Sequence, residues 1–128
     1  MKRNEILAVL LFLLATVGAV VGIFAVERIR RSRLFTAELI ARAPENGNWY
    51  PGIVKLSGEK EAKLLIRNID TVSHGFAVPD LNISIPEIKA GNVKVITIKT
   101  DKRGSFPFIC TVWCSARHME MQGLLVIE

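Results

Sequence analysis

The sequence predicts an all-β domain of Greek-key sandwich or barrel type, preceded by one transmembrane helix. Three observations carry this expectation. Residues Ile6 to Val26 run twenty-one positions without a charged side chain. From Trp49 onward, short segments of alternating or β-branched character are separated by turn residues. No stretch among those segments reads as a helix. A chain of 128 residues has room for one domain and a small addition.

The apolar run is broken only by Thr16, Gly18 and Gly22. As a helix it extends roughly 30 Å, the thickness of a bilayer's hydrocarbon core. Lys2 and Arg3 give the basic start that a secretory signal also has. The run is longer than a signal core of about 7–15 residues, however, and no small-x-small cleavage site follows it, so an uncleaved anchor is expected. Residues 27–43 have a helix-friendly composition without Gly or Pro, and the helix is expected to continue until Pro44. Pro44-Glu45-Asn46-Gly47-Asn48 is turn-rich and marks the boundary. The expected organisation is therefore an anchor with a helical connector over 1–43 and a β domain over 44–128.

Within the β domain, Ala62 to Ile69 reads as a strand that breaks at Asp70-Thr71. Asn82-Ile83-Ser84-Ile85 alternates, and Val93 to Lys99 does so with β-branched residues. Phe106 to Ile109 and Gly123 to Ile127 complete the set, with turn signals at Ser57-Gly58, Ala90-Gly91 and Arg103-Gly104. Trp49 and Tyr50 are expected to pack where the first strand begins.

The net charge of +5 invites a nucleic-acid reading, which its distribution excludes. Residues 1–35 hold six basic and two acidic side chains, whereas residues 36–128 hold eleven and ten. The basicity belongs to the flanks of the apolar run, chiefly Arg28, Arg30, Arg31 and Arg33, where it suits anionic headgroups. The β domain shows no basic patch of the kind nucleic acid requires.

The chemistry-bearing residues lie near the C-terminus. Cys110 to Met121 spells C-x-x-x-C-x-x-x-H-x-x-M and contains both cysteines and one of the two histidines; the other is His74. Thiolate, thioether and imidazole ligands select copper or zinc over hard cations. A mononuclear blue-copper site uses one cysteine, two histidines and a weak axial methionine, so this chain has one thiolate too many. Two thiolates can bridge two copper ions, with one histidine for each. A Cys2His2 zinc site, or a Cys110–Cys114 disulfide, uses part of the same set but leaves Met121 without a role.

The run resembles the copper loop of cytochrome c oxidase subunit II and of the C-terminal domain of nitrous oxide reductase. The segment His118-Met119-Glu120-Met121 with Gly123 is especially similar to the reductase. Asn68 to Phe76 resembles the first-histidine region of both families. The resemblance, to cupredoxin domains of the CuA type, covers about residues 49–128, and the single anchor is similar to short, one-span forms of subunit II. It implies two coppers bridged by Cys110 and Cys114. His74 and Met121 would complete one copper, and His118 and the backbone carbonyl of Val112 the other. Oxidases often carry Glu or Gln at the Val112 position, and the Glu helps bind magnesium there; the valine predicts no magnesium site. Ser115 stands where the oxidases usually have glycine. Phe76, Phe108 and Trp113 are expected to shield the cluster, and Met119 to pack in the core or at the surface.

With both histidines committed to ligation, no catalytic site is expected in the chain. The resemblance implies an electron-relay subunit that takes electrons from a cytochrome c-like donor and passes them to the catalytic subunit of a membrane respiratory oxidase. Alternatives are a free-standing membrane-tethered carrier serving nitrous oxide or nitric oxide reduction, and a copper-delivery protein. The four arginines after the span would place the domain in the cytoplasm by the positive-inside rule. A redox copper site that meets cytochrome c donors places it instead on the extracytoplasmic side of the inner membrane, and that is the expectation adopted.

Overall fold

Alternation along the strand Glu61–Asn68 puts Ala62, Leu64, Ile66 and Asn68 on one face, and all four are buried. The computed structural model describes residues 2–34 and 36–128, which divide into two compact units at Leu34.

The first unit is one helix, α1 (Arg3–Leu34). Its stretch Arg3–Arg30 has a mean hydropathy of 2.9 and is long and apolar enough to cross a membrane. The large apolar side chains along it, such as Phe12, Leu14, Ile23 and Phe24, are exposed. Burying that surface in lipid removes it from water, which favours insertion.

Among its described residues the second unit holds eight strands: β1 (Ala37–Ala41), β2 (Ile53–Leu56), β3 (Glu61–Asn68), β4 (His74–Val78), β5 (Ile83–Ile88), β6 (Val93–Lys99), β7 (Gly104–Ile109) and β8 (Gln122–Ile127). They form a sandwich of two sheets, ordered β1-β3-β6 and β2-β8-β7-β4-β5. The pairs β1–β3 and β2–β8 are parallel and the rest antiparallel. Leu39, Leu64, Ile66, Phe76, Phe108 and Leu125 are fully buried in the core. Trp49, Phe76 and Phe108 form an aromatic cluster in which Trp49 meets the two phenylalanines edge-on at 5.8 and 5.6 Å between ring centres.

The helical connector expected through residue 43 is not what forms. The helix ends at Leu34, and Ala37–Ala41 is a strand that pairs with β3 from Ala37↔Leu64 to Ala41↔Asn68. Leu39 and Ala41 are fully buried, so the energy gained by pairing and burial outweighs a helix-friendly composition. The β unit thus takes in residues before Pro44, which itself opens a short 3-10 turn (Pro44–Asn46).

Two glycines let the backbone close around the far end of the sandwich. A Cβ on Gly75 would collide with the Thr111 side chain and come within 3.1 Å of the Pro86 carbonyl oxygen. One on Gly123 would strike the Phe108 ring and the Gly52 carbonyl at 2.7 Å.

Candidate metal centre

Adjacent strand ends bring the ligand residues together. His74 opens β4, and Cys110 directly follows β7, which neighbours β4 through the Ala77↔Ile109 pair. Residues 110–121 then loop out and return into β8, whose pairing with β7 begins at Ile109↔Gln122. The Cys110 N–H donates to the Met121 carbonyl at 3.0 Å, closing the neck of this loop. The Trp49 indole N–H donates to the same carbonyl at 3.3 Å, and the Asn48 amide donates to the Glu120 carbonyl at 2.9 Å.

At the centre, His74 Nδ1 lies 3.8 Å from Cys110 Sγ, and His118 Nδ1 lies 3.5 Å from Cys114 Sγ. Met121 Sδ is 3.6 Å from Cys114 Sγ, and the Val112 carbonyl oxygen is 3.3 Å from Cys110 Sγ. The ligand atoms of His74, Cys110 and Cys114 all fall within 4.8 Å of one another. His118 joins this group through Cys114. Both cysteines are free and buried, as are His74 and Met121. Each expected ligand residue is therefore in the cluster, with a donor atom turned to a cysteine sulfur. Soft sulfur and imidazole donors gathered in this way suit copper.

Protonation follows from burial. The His74 imidazole is pushed below its ordinary pKa by burial, which outweighs the pull of the neighbouring Asp70 carboxylate. It is thus neutral near pH 7 and able to bind a metal. Burial and the neighbouring Cys110 push the Cys114 thiol up to about 11. A metal must displace that proton to gain the thiolate, so apparent copper affinity is expected to rise with pH. Between about pH 6 and pH 9 this one proton contributes roughly tenfold per unit. Competition titrations against a copper chelator of known affinity check this, and an affinity flat over that range would contradict it.

Not every expected role survives. Phe76 and Phe108 are fully buried beneath the centre, as shielding requires. Trp113 is not part of the core: the side chain is 73% exposed and tilts against His118 at 5.9 Å between ring centres. The loop bulges outward between the two cysteines, leaving an indole there without core to enter. Met119 is 83% exposed and packs in no interior. Sequence reasoning also passed over Asp70, whose carboxylate Oδ2 sits 3.2 Å from His74 Nε2. Its one signal was a carboxylate four residues before a candidate ligand.

Comparison with known proteins agrees with this geometry. The model of the cupredoxin-like domain matches residues 9–127. The chain belongs to that family. Among its relatives is the nitrous-oxide reductase of Ralstonia nicotianae, 30% identical over 103 residues. That alignment takes in 78% of this chain and 15% of the reductase. The alternative cytochrome c oxidase subunit 2 of Bradyrhizobium diazoefficiens is 30% identical over 69 residues, 54% of this chain and 24% of that protein. The cupredoxin-like chain thus spans a small part of the curated relatives it matches. Among solved structures, a chain of a heme-copper terminal oxidase dimer superposes with a TM-score of 0.61 at 19% identity, covering all of both chains. At that identity the likeness shows the fold. Membership in the cupredoxin-like family implies copper binding, and His74, Cys110 and Cys114 supply a site for it.

Proposed function

We propose that this domain holds a binuclear copper centre of the CuA type and relays electrons within a membrane respiratory complex. The observation that carries the reading is the gathering of two thiols with two imidazole Nδ1 atoms, a thioether and a backbone carbonyl, these last four each within 3.8 Å of a cysteine sulfur. Cys110 and Cys114 would bridge the two ions. His74 with Met121, and His118 with the Val112 carbonyl, would complete them. Bound there, the pair would supply one-electron redox chemistry.

The chain's own residues supply the rest. The strand ends of β4, β7 and β8 fix the ligands in a rigid frame, so their positions need change little when charge changes. Phe76, Phe108 and Trp49 exclude water below the sulfurs. On the outer side, Ile109 and Met119 leave apolar surface around a cavity of about 290 Å³ lined also by Cys110, His118 and Met121, and the exposed Trp113 lies against the His118 ring. Arg117 pairs with Glu120 there and also interacts with Glu45, so one guanidinium stands between two carboxylates. A donor with an apolar contact face, such as a cytochrome c-like protein, suits that surface. The helix α1 would hold the domain at the extracytoplasmic side of the inner membrane, beside a catalytic oxidase subunit.

The stronger reductase match favours one second reading, a tethered carrier serving nitrous oxide or nitric oxide reduction. Purifying the tagged full chain from native membranes separates the two. Haem absorption that follows the chain through successive columns supports the oxidase-subunit reading, and a chain that elutes free of haem supports the carrier. For the docking surface, Trp113→Ala is expected to slow reduction by a cytochrome c donor roughly tenfold or more, the effect of losing a central aromatic contact. The copper spectrum should stay unchanged. Stopped-flow mixing measures this, and an unaltered rate would place donor contact elsewhere.

A further inference from the structure

We propose that Asp70 is the positioning residue for His74: its carboxylate holds the imidazole in the tautomer that leaves Nδ1 free, and ties the ring to the Ala43–Asn46 turn. The proposal rests on His74 being a copper ligand. The ring is fully buried, so each nitrogen must be satisfied from within the protein. Nδ1 faces Cys110 Sγ at 3.8 Å, and Nε2 faces Asp70 Oδ2 at 3.2 Å. A carboxylate accepts and does not donate, so the proton of the neutral ring belongs on Nε2. That leaves the Nδ1 lone pair directed at the sulfurs.

The carboxylate is itself held from three sides. Oδ2 also accepts from the Ala43 backbone N–H at 2.7 Å. Oδ1 accepts from the Thr71 N–H at 2.9 Å and from the Asn46 side-chain amide at 3.3 Å. Asn68, nearly fully buried, fixes the loop beneath: its Oδ1 accepts from the Asp70 N–H, and its amide donates to the carbonyls of Val72 and Ile88. Ala43 and Asn46 stand just after β1, the strand nearest in sequence to the membrane helix. A single side chain thus connects that segment to the first ligand of the metal centre. A carboxylate wanted only to close the Ala43–Asn46 turn would not need an oxygen on His74 Nε2.

Two readouts on the full chain in detergent test this. Long-range proton–nitrogen NMR correlations report the His74 tautomer in the metal-free protein, and transfer to a chelator reports copper release from the loaded protein. The wild type should show the Nε2–H form. Asp70→Ala should give a mixture of tautomers and release copper roughly 10–100-fold faster, the usual cost of losing a ligand's hydrogen-bond partner. Asn46→Ala, which touches only the far side of the carboxylate, should leave the tautomer as in the wild type. If Asp70→Ala does not fold, the near-isosteric Asp70→Asn decides, with a faster release than wild type expected. Wild-type tautomer and release rate in the folded Asp70 variant would overturn the positioning role. A changed tautomer with unchanged release would show that Asp70 controls the ring while His74 is no ligand, so the reading beneath the proposal fails instead.

Discussion

Replacing Cys114 by serine is expected to cut the copper content of the full chain from two ions to one or none, and to abolish relay between a donor cytochrome and its acceptor. A serine hydroxyl is a hard donor that keeps its proton near neutral pH, so it cannot replace a bridging thiolate on soft copper. The neighbours of Cys114 make the effect larger than the loss of one ligand. Cys114 Sγ is the sulfur nearest both His118 Nδ1, at 3.5 Å, and Met121 Sδ, at 3.6 Å. Without it each of those two side chains loses the sulfur beside it, and the two sites they would complete lose one of their bridges. His74 and Cys110 remain in place, 3.8 Å apart. What survives is at most a mononuclear site. Elemental analysis of the purified variant together with its reduction kinetics checks the prediction. Two coppers retained per chain would contradict it.

Phe108→Ala carries the largest expected loss of stability. The ring is fully buried, 5.4 Å from Phe76 and 5.6 Å from Trp49 between ring centres. The backbone at Gly123 is shaped around it, since any Cβ there would meet the ring. Truncating a phenylalanine in such a place costs about 3–5 kcal/mol, because the lost contacts add to a cavity that rigid neighbours cannot fill. Domains of this size are stable by only about 5–15 kcal/mol. The metal-free midpoint should therefore fall by roughly 12–40 °C. Copper that binds the folded form more tightly than the unfolded chain should recover part of the loss on loading. Thermal unfolding followed by Trp fluorescence measures both, as Trp49 is buried in the same cluster. A shift of only a few degrees would mean that the three aromatics do not form the core beneath the site.

Much of this was legible in the sequence because the signals were local. A run of twenty-one uncharged residues can hardly be anything but apolar helix, and Val93–Lys99 alternates so regularly that its strand bounds are those expected. The candidate ligand loop stood out in the sequence for a different reason. Metal chemistry restricts residue type and spacing together, and few other arrangements use two cysteines, a histidine and a methionine at these intervals. What escaped depended on contacts distant in sequence. Ala37–Ala41 has no strand signature of its own, and its conformation is set by pairing with a strand 27 residues downstream. Trp113 was expected to shield the cluster, and nothing local in the sequence showed that its side chain would stand 73% exposed. Asp70 stood at a strand break and read as a turn residue. Its contact with His74 appears only when the loop between β3 and β4 is folded back.

The central claim, a binuclear centre bridged by Cys110 and Cys114, is tested most directly by the EPR spectrum of the oxidised, copper-loaded full chain, recorded beside its copper content. One unpaired electron shared equally by two copper nuclei splits into seven hyperfine lines, so the expected result is a seven-line pattern with two coppers per chain. A four-line pattern from a single copper, or a chain that refuses copper and holds zinc tightly, would contradict it.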